Sequence, residues 1–429
     1  MKTIILPTED RWEILCIRPT LDKSELEDVV RGIINDVKSR GDQAVIDYSL
    51  KFDNVKTSTL KVSPEEIANS VGMVSEELKE AIDIARSNIE IFHSAQLQQE
   101  QIVETSQGVK CWRKSVAIEK VGLYIPGGNT PLFSTVLMLG IPAKLAGCKE
   151  IIICTPPNSN GKVSPLILYI ANLLGITSLF KTGGAQAIAA MAYGTETISK
   201  VYKIYGPGNQ YVTKAKELVQ QEGVSIDMAA GPSEVLIIAD ETANPEFIAA
   251  DLLSQAEHGS DSQVILLTNS KKLIELVEKE TEKQLKEIPR KEIALKALDN
   301  SMLILLDSLN DCMNFSNQYA PEHLIINTSD YGFLSDGITN AGSVFLGKYS
   351  CESAGDYASG TNHTLPTNGN ARSFSGVSTE SFTKKISFQE LSGNGIKNIG
   401  TSIELMAEAE NLFAHKNAVT VRLKYLENV

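Results

Sequence analysis

Glu150-Ile151-Ile152-Ile153-Cys154 is a short apolar run, and a helical pattern follows it from Pro165 to Leu174. Next comes Ser178-Leu179-Phe180-Lys181-Thr182, then a glycine pair and a second helical stretch, Gln186–Ala192. Strand, helix, strand, helix in this order marks βαβ units joined into a mainly parallel sheet. The same alternation extends outward. Upstream lie an apolar stretch Ala117–Tyr124 and a helical stretch Ser134–Ala146; downstream lie Lys200–Tyr205, Gln210–Gln221 and Glu234–Ala239.

A second series follows, with strand-like runs Gln263–Thr268, Met302–Leu306, His323–Asn327 and Ser343–Leu346, and helices such as Lys271–Leu285. The chain is therefore expected to be α/β, with two Rossmann-like, mainly parallel domains. The expected layout inserts residues 124–232 between 1–123 and 233–378, leaving 379–429 as a mixed C-terminal segment with a helix near Ser402–Ala414. Residues 22 to about 110 read as helical. Ser24 with Glu27 resembles a capping box, Gly41 reads as a stop, and Ser63-Pro64-Glu65-Glu66 places proline at a first helical position. Ser75 opens another helix, expected to reach about Gln101.

The chain has 429 residues, 42% hydrophobic and 22% charged, which suits a folded globular protein rather than a disordered one. Its net charge of -13 argues against nucleic acid or an anionic membrane as the main partner. The opening Met1-Lys2-Thr3-Ile4-Ile5-Leu6-Pro7 has too short an apolar core for a secretion signal. The apolar stretch from Pro131 to Ala143 is shorter than the ~20 residues a bilayer needs. A cytoplasmic enzyme is the expectation. The six cysteines, Cys16, Cys111, Cys148, Cys154, Cys312 and Cys351, form no CxxC pair, and packing is their expected role. Only Cys351, beside a polar loop, is a candidate nucleophile for a cysteine-dependent aldehyde dehydrogenase.

Three strand ends carry glycine turns: Tyr124-Ile125-Pro126-Gly127-Gly128, Thr182-Gly183-Gly184-Ala185-Gln186 and Tyr205-Gly206-Pro207-Gly208-Asn209. Ligands of open α/β sheets sit past the carboxyl ends of strands, and glycine lets a backbone approach a phosphate. Tight turns would use glycine equally well, and none of the three is a GxGxxG fingerprint.

Of five histidines, four lie in polar settings. His258 follows Gln255 by three positions near an expected helix end, and His323 stands beside Glu322 at a strand entrance. A regular strand would face those two neighbours apart, but Pro321 suggests an irregular entry where both reach one cavity, as a general-base pair requires. His363 falls in the polar, glycine-rich stretch 352–367, read as a binding loop near Asp356. His415 is expected in the last turn of a helix containing Glu408 and Glu410, where the helix dipole would also explain it. His93 reads as a surface or satisfied core residue. Gln255, His258, Asp356 and His415 could together form a mixed N/O site for zinc or manganese. There is no HExxH and no convincing GxSxG.

Several stretches, in order along nearly the whole chain, resemble the histidinol dehydrogenase family: Val121–Gly128, Gly183–Ala189, Gly206–Asn209, Ala230–Glu234, Gln255–His258, Ala320–His323, Gly355–Gly360 and Ala409–Ala418. The resemblance implies NAD- and zinc-dependent oxidation of L-histidinol to L-histidine through L-histidinal. It implies one zinc per subunit, held by Gln255, His258, Asp356 and His415. Glu322 and His323 become the catalytic acid/base residues. Ser233, His363 and Glu410 join His323 and the metal ligands as substrate contacts, while Tyr124, Gln186 and Asn209 line the NAD site. It also implies a homodimer with shared active sites, Glu410 and His415 crossing to the partner within the C-terminal segment. The chain departs at Ala229 and Thr361, where proline is usual; neither change removes a chemical group.

Overall fold

The computed structural model describes residues 1–18, 25–56, 59–97, 99–127, 131–228 and 231–428. Its frame is two parallel sheets. One has strands Ser178–Lys181, Glu150–Thr155, Lys120–Tyr124, Lys203–Tyr205 and Ser225–Ile226 side by side. Numbered along the chain, that order is 3-2-1-4-5, the Rossmann-like arrangement. The other places Lys2–Ile5, Met302–Leu305, Gln263–Thr268, Glu234–Ala239, His323–Asn327 and Ser343–Leu346 in sequence across the sheet. Apart from the added N-terminal strand, it repeats the same order. The central strands are buried on both faces, as in Glu234–Ala239, so they read as continuous apolar runs.

The apolar stretch Ala117–Tyr124 is not one strand. Val109–Ala117 is antiparallel to Thr383–Leu391, and Lys120–Tyr124 is a separate parallel strand. The antiparallel register runs on through the Ile118 N–H, which bonds to the Phe382 carbonyl at 2.9 Å, and the stretch breaks after it. Val103–Ser106, Val109–Ala117 and Thr383–Leu391 form a small antiparallel sheet. The helix opened by Ser75 spans Glu76–Ser94 and so ends well before Gln101. Pro64 stands at the expected first helical position, and Ser63 with Glu66 forms a capping box around it. Gly41, at φ +55°, separates Leu26–Arg40 from Asp42–Asp53. Ser24 lies outside the described residues.

The helix Trp12–Leu15 packs on the six-stranded sheet, but the helices between residues 26 and 94 cover the five-stranded one and not the six-stranded one to which the sequence layout attached them. Val30, Ile33, Ile34 and Val37 share a core with Ile152 and Phe180. Ile82, Ala85 and Ile89 pack with Val121 and Leu137. Apolar faces of helices settle on whichever sheet face is open, and linear proximity does not choose it. Among the described residues, no helix is long and apolar enough to cross a membrane.

The C-terminal helix expected near Ser402–Ala414 is two helices, Gly393–Ala409 and Phe413–Glu427. Asn411 takes the left-handed conformation, φ +60°, and breaks them; asparagine tolerates that region better than most residues. His415 is thus in a first helical turn, and the helix-end reading of its charge fails.

Two edges meet in the middle. The glycine turns after Tyr124, Thr182 and Tyr205 lie at the carboxyl edge of the five-stranded sheet, whereas Ser233, Glu322 and His323 lie at the amino edge of the six-stranded one. Asn362 Nδ2 donates to the Met138 carbonyl at 2.6 Å, and Asn88 Nδ2 donates to that of Ala358 at 2.8 Å. These bonds tie the loop containing His363 to helices packed on the five-stranded sheet.

Candidate active site

Helix Leu309–Tyr319 ends at Ala320, whose φ of +54° is left-handed. Pro321 cannot continue a helix, and the chain enters the strand His323–Asn327 directly. At this irregular entrance Glu322 and His323 do not diverge. Glu322 Oε2 and His323 Nδ1 lie 3.5 Å apart, and both side chains are buried.

The main chain of Glu234 holds both. Its N–H donates to Glu322 Oε2 at 2.8 Å, and its carbonyl oxygen lies 3.0 Å from His323 Nδ1. A carbonyl can only accept from Nδ1, whereas the amide nitrogen of Gln255, 2.9 Å from the same ring atom, can only donate to it, so the two contacts call for opposite tautomers. His323 Nε2 is buried with no hydrogen-bond partner, 3.6 Å from Asp356 Oδ1. Burial opposes charge on this imidazole, but Glu322, Asp356 and Glu352 outweigh it and hold its pKa well above the usual range. Burial raises that of Glu322 despite the imidazole beside it.

The polar stretch expected as a loop begins as a helix, Glu352–Tyr357. Residues four apart on a helix share a face, so Glu352 and Asp356 point together toward the end of helix Pro245–Ala256. Donor atoms of His258, Glu352 and Asp356 lie within 4.8 Å of one another. Ser254 Oγ donates to Glu352 Oε2 at 2.6 Å. Burial, with Asp356 nearby, pushes the Glu352 carboxyl up to about 8. Burial works on Asp356 the same way, but His323 overrides it and brings the carboxyl down to about 2. Gln255 Oε1 is buried without a partner. An imidazole, two carboxylates and an unsatisfied amide oxygen suit a dication such as zinc, so the residues present fit one.

His363 adjoins this cluster. Its Nδ1 is 3.1 Å from the Asp356 carbonyl oxygen, and its Nε2 is 3.1 Å from Thr135 Oγ1. Ser233 precedes the strand Glu234–Ala239 and is half-buried. His93 is a satisfied core residue, its ring nitrogens facing Gln96 Oε1 at 3.1 Å and Asn362 Nδ2 at 3.4 Å.

Tyr124, Gln186 and Asn209 gather at the carboxyl edge of the five-stranded sheet. The Tyr124 hydroxyl accepts from the Gly184 N–H at 3.2 Å. Gln186 is buried and its Oε1 has no partner. Asn209 Oδ1 caps helix Gln210–Gln221, accepting from Tyr211 and Val212 at 3.1 and 3.2 Å. Gly206 has φ +123°, and a Cβ there would stand 2.0 Å from the Tyr124 carbonyl oxygen. Its N–H donates to Asp227 Oδ2 at 2.8 Å, and its carbonyl accepts from the buried Lys216 at 3.0 Å. Close packing therefore explains this glycine without any ligand. Gly128, Ala229 and Ala230 lie outside the described residues.

Glu410 and His415 are not brought to the cluster of their own chain. Both are exposed, and among the described residues no hydrogen bond or ion pair joins either to it. Leu405, Met406, Phe413 and Tyr425 expose apolar surface on the same helices. Cys351 is half-buried just ahead of Glu352. Sequence reasoning missed Glu352. The signal was its spacing from Asp356, concealed because the stretch was read as a loop. It also missed Arg18, whose Nε and Nη2 bond both carboxylate oxygens of Glu234 at 3.1 and 3.0 Å.

The family model for histidinol dehydrogenase matches residues 16–423. The chain is 58% identical over 427 residues to a histidinol dehydrogenase of Bacteroides thetaiotaomicron, covering 100% of both. It is 52% identical over 423 residues to one from Escherichia coli, covering 98% of this chain and 96% of that protein. The crystal structure of a histidinol dehydrogenase from Elizabethkingia anophelis superposes with a TM-score of 0.98 at 58% identity, covering 100% of this chain and 99% of that one. An acetylating aldehyde dehydrogenase from Geobacillus thermoglucosidasius, 13% identical with a TM-score of 0.50 over 89% of this chain and 94% of that one, shares the fold alone.

Proposed function

The chain belongs to the histidinol dehydrogenase family, a family of oxidoreductases, and on that premise we propose that it oxidises L-histidinol to L-histidine through L-histidinal, with zinc bound and two NAD+ reduced. The observation that carries the reading is a buried acid/base pair, Glu322–His323, beside a cluster of donors fit for a dication. A pair of that kind suits removal of protons from an alcohol and then from a hydrated aldehyde.

Zinc would be held by Gln255, His258, Asp356 and His415, one ion per subunit, with Glu352 against the same cluster. When bound, the dication supplies charge that anchors a polar substrate and offsets the carboxylates keeping His323 protonated. NAD supplies the hydride acceptor, against Tyr124, Gln186 and Asn209 in the segment 124–232. The remaining chemistry belongs to side chains. His323 receives the hydroxyl proton at Nε2, the ring nitrogen left without a hydrogen-bond partner, while Nδ1 is enclosed by the Glu234 carbonyl and the Gln255 amide. Glu322 takes a proton from water in the second oxidation. Ser233, His363 and Glu410 orient the substrate, and the buried setting keeps the aldehyde from side reactions.

Because Glu410 and His415 stand away from their own cluster, a homodimer in which each C-terminal segment, 379–429, completes the partner's site fits best. The exposed apolar residues of those helices give such an interface its material. The test is NADH formation from L-histidinol and NAD+, before and after chelation. Two NADH per substrate, lost on chelation and restored by zinc, supports the reading. Tight zinc binding without NADH overturns the substrate and the catalytic roles.

A further inference from the structure

We propose that Arg18, together with the Glu234 carboxylate it grips, is the positioning device for the Glu322–His323 pair. The inference rests on the acid/base roles given above and adds residues that those roles do not include.

One guanidinium ties together segments distant in sequence. Nε and Nη2 of Arg18 bond the two oxygens of Glu234 at 3.1 and 3.0 Å. Nη2 also donates to the Ala320 carbonyl at 3.3 Å, and Nη1 to that of Cys16 at 3.2 Å. The Arg18 guanidinium carbon sits 3.5 Å from the centroid of the Tyr319 ring, and the Tyr319 hydroxyl donates to Gln263 Oε1 at 2.7 Å. Glu234 Oε1 additionally accepts from the Asn368 N–H at 2.8 Å. Both partners are buried, so the clamp has one geometry.

What the clamp fixes is the local cause of the site. The Glu234 main chain touches Glu322 with its N–H and His323 with its carbonyl, from the two peptide groups that flank its Cα. A shift of that Cα, which also carries the gripped side chain, would disturb both contacts. Ala320 is a non-glycine residue at φ +54°, a conformation that persists only where its surroundings enforce it. Arg18 holds its carbonyl. That kink, two residues before Glu322, is what lets consecutive side chains converge. Stability is a weak reason for such an arrangement, since buried ion pairs often add little over apolar packing. Fork-shaped, planar recognition by arginine adds directional precision, which lysine does not supply.

The test uses full-length, zinc-loaded enzyme and compares Arg18→Met, Arg18→Lys and Glu234→Gln with Glu322→Gln and His323→Asn. Positioning predicts that kcat falls about 10–100-fold in Arg18→Met and Glu234→Gln. KM for histidinol and NAD+ and the zinc content should stay at parental values. Arg18→Lys should recover part of kcat. Arg18→Met placed on Glu322→Gln should lose less aldehyde oxidation than the product of the two single losses, because one of the two groups it positions is already gone. Should Arg18→Met fail to fold, Arg18→Lys and Glu234→Gln carry the comparison. Parental kcat in folded variants, a loss confined to KM or zinc, or fully multiplicative losses in the double variant overturns the proposal. Full activity in Glu322→Gln and His323→Asn would instead remove the acid/base roles themselves, so the two failures are distinct.

Discussion

Glu322 and His323 are consecutive in the chain, yet Oε2 of one and Nδ1 of the other are 3.5 Å apart. Their chemistry can still be separated. His323→Asn should lower turnover of both oxidations by about 10²–10⁴-fold while zinc content is kept. Glu322→Gln should slow oxidation of L-histidinal more than that of L-histidinol. Steady-state rates on each substrate decide it, and equal losses on the two would refute the division of labour.

Glu352 is buried against Ser254 and faces the donors of His258 and Asp356. Neutral glutamine there keeps the shape and removes a group that can ionise against the metal. Glu352→Gln should weaken zinc about 10–100-fold, the usual cost of losing a group that supports metal ligands. Competition with a coloured chelator measures this without any assay of turnover. Parental affinity would exclude Glu352 from the metal's surroundings.

Asp251 lies on helix Pro245–Ala256, and burial pushes its carboxyl from 3.8 up to about 7. A folded pKa above the unfolded one means that stability is fully present below about 3.8 and is lost as pH rises through 7. Asp251→Asn cannot ionise and escapes that loss. Above neutral pH it should exceed the parent by roughly 1–3 kcal/mol, with the advantage shrinking toward pH 5. Urea unfolding at both ends of that range checks it; a difference independent of pH would dismiss the burial argument.

If Glu410 and His415 act on a second subunit, two inactive variants can repair each other. His323→Asn lacks a group on one side of the shared site, and His415→Ala lacks one on the other. Co-refolded mixtures should regain activity that neither protein has alone, because mixed dimers contain one intact site. No recovery, with subunit exchange verified by mass, would place His415 in its own chain's site.

The βαβ alternation was legible because each buried parallel strand is an uninterrupted apolar run, as in Glu150–Thr155. Val109–Ala117 escaped notice for the opposite reason. It is largely exposed, its composition is mixed, and its partner Thr383–Leu391 is far away along the chain. Among site residues, Glu322 and His323 were visible as neighbours. Glu352 was hidden by Ser353 and Gly355, which are weak helix formers, so the helical spacing to Asp356 went unread. Arg18 carries no local signal at all. Its partners, Glu234 and Ala320, are brought to it only when the N-terminal strand Lys2–Ile5 joins the edge of the six-stranded sheet.

The groups that orient Glu322 and His323 belong to the main chain of residue 234 rather than to a side chain. Genetically this shelters them. Proline is the one replacement at 234 that deletes the N–H, and no replacement deletes the carbonyl. Alleles at 18 and 234 can therefore loosen the grip without erasing it, and their phenotypes should be graded. Alleles at 322 and 323 erase the reacting groups outright. A saturation library scored for growth without histidine should sort the four positions into those two classes.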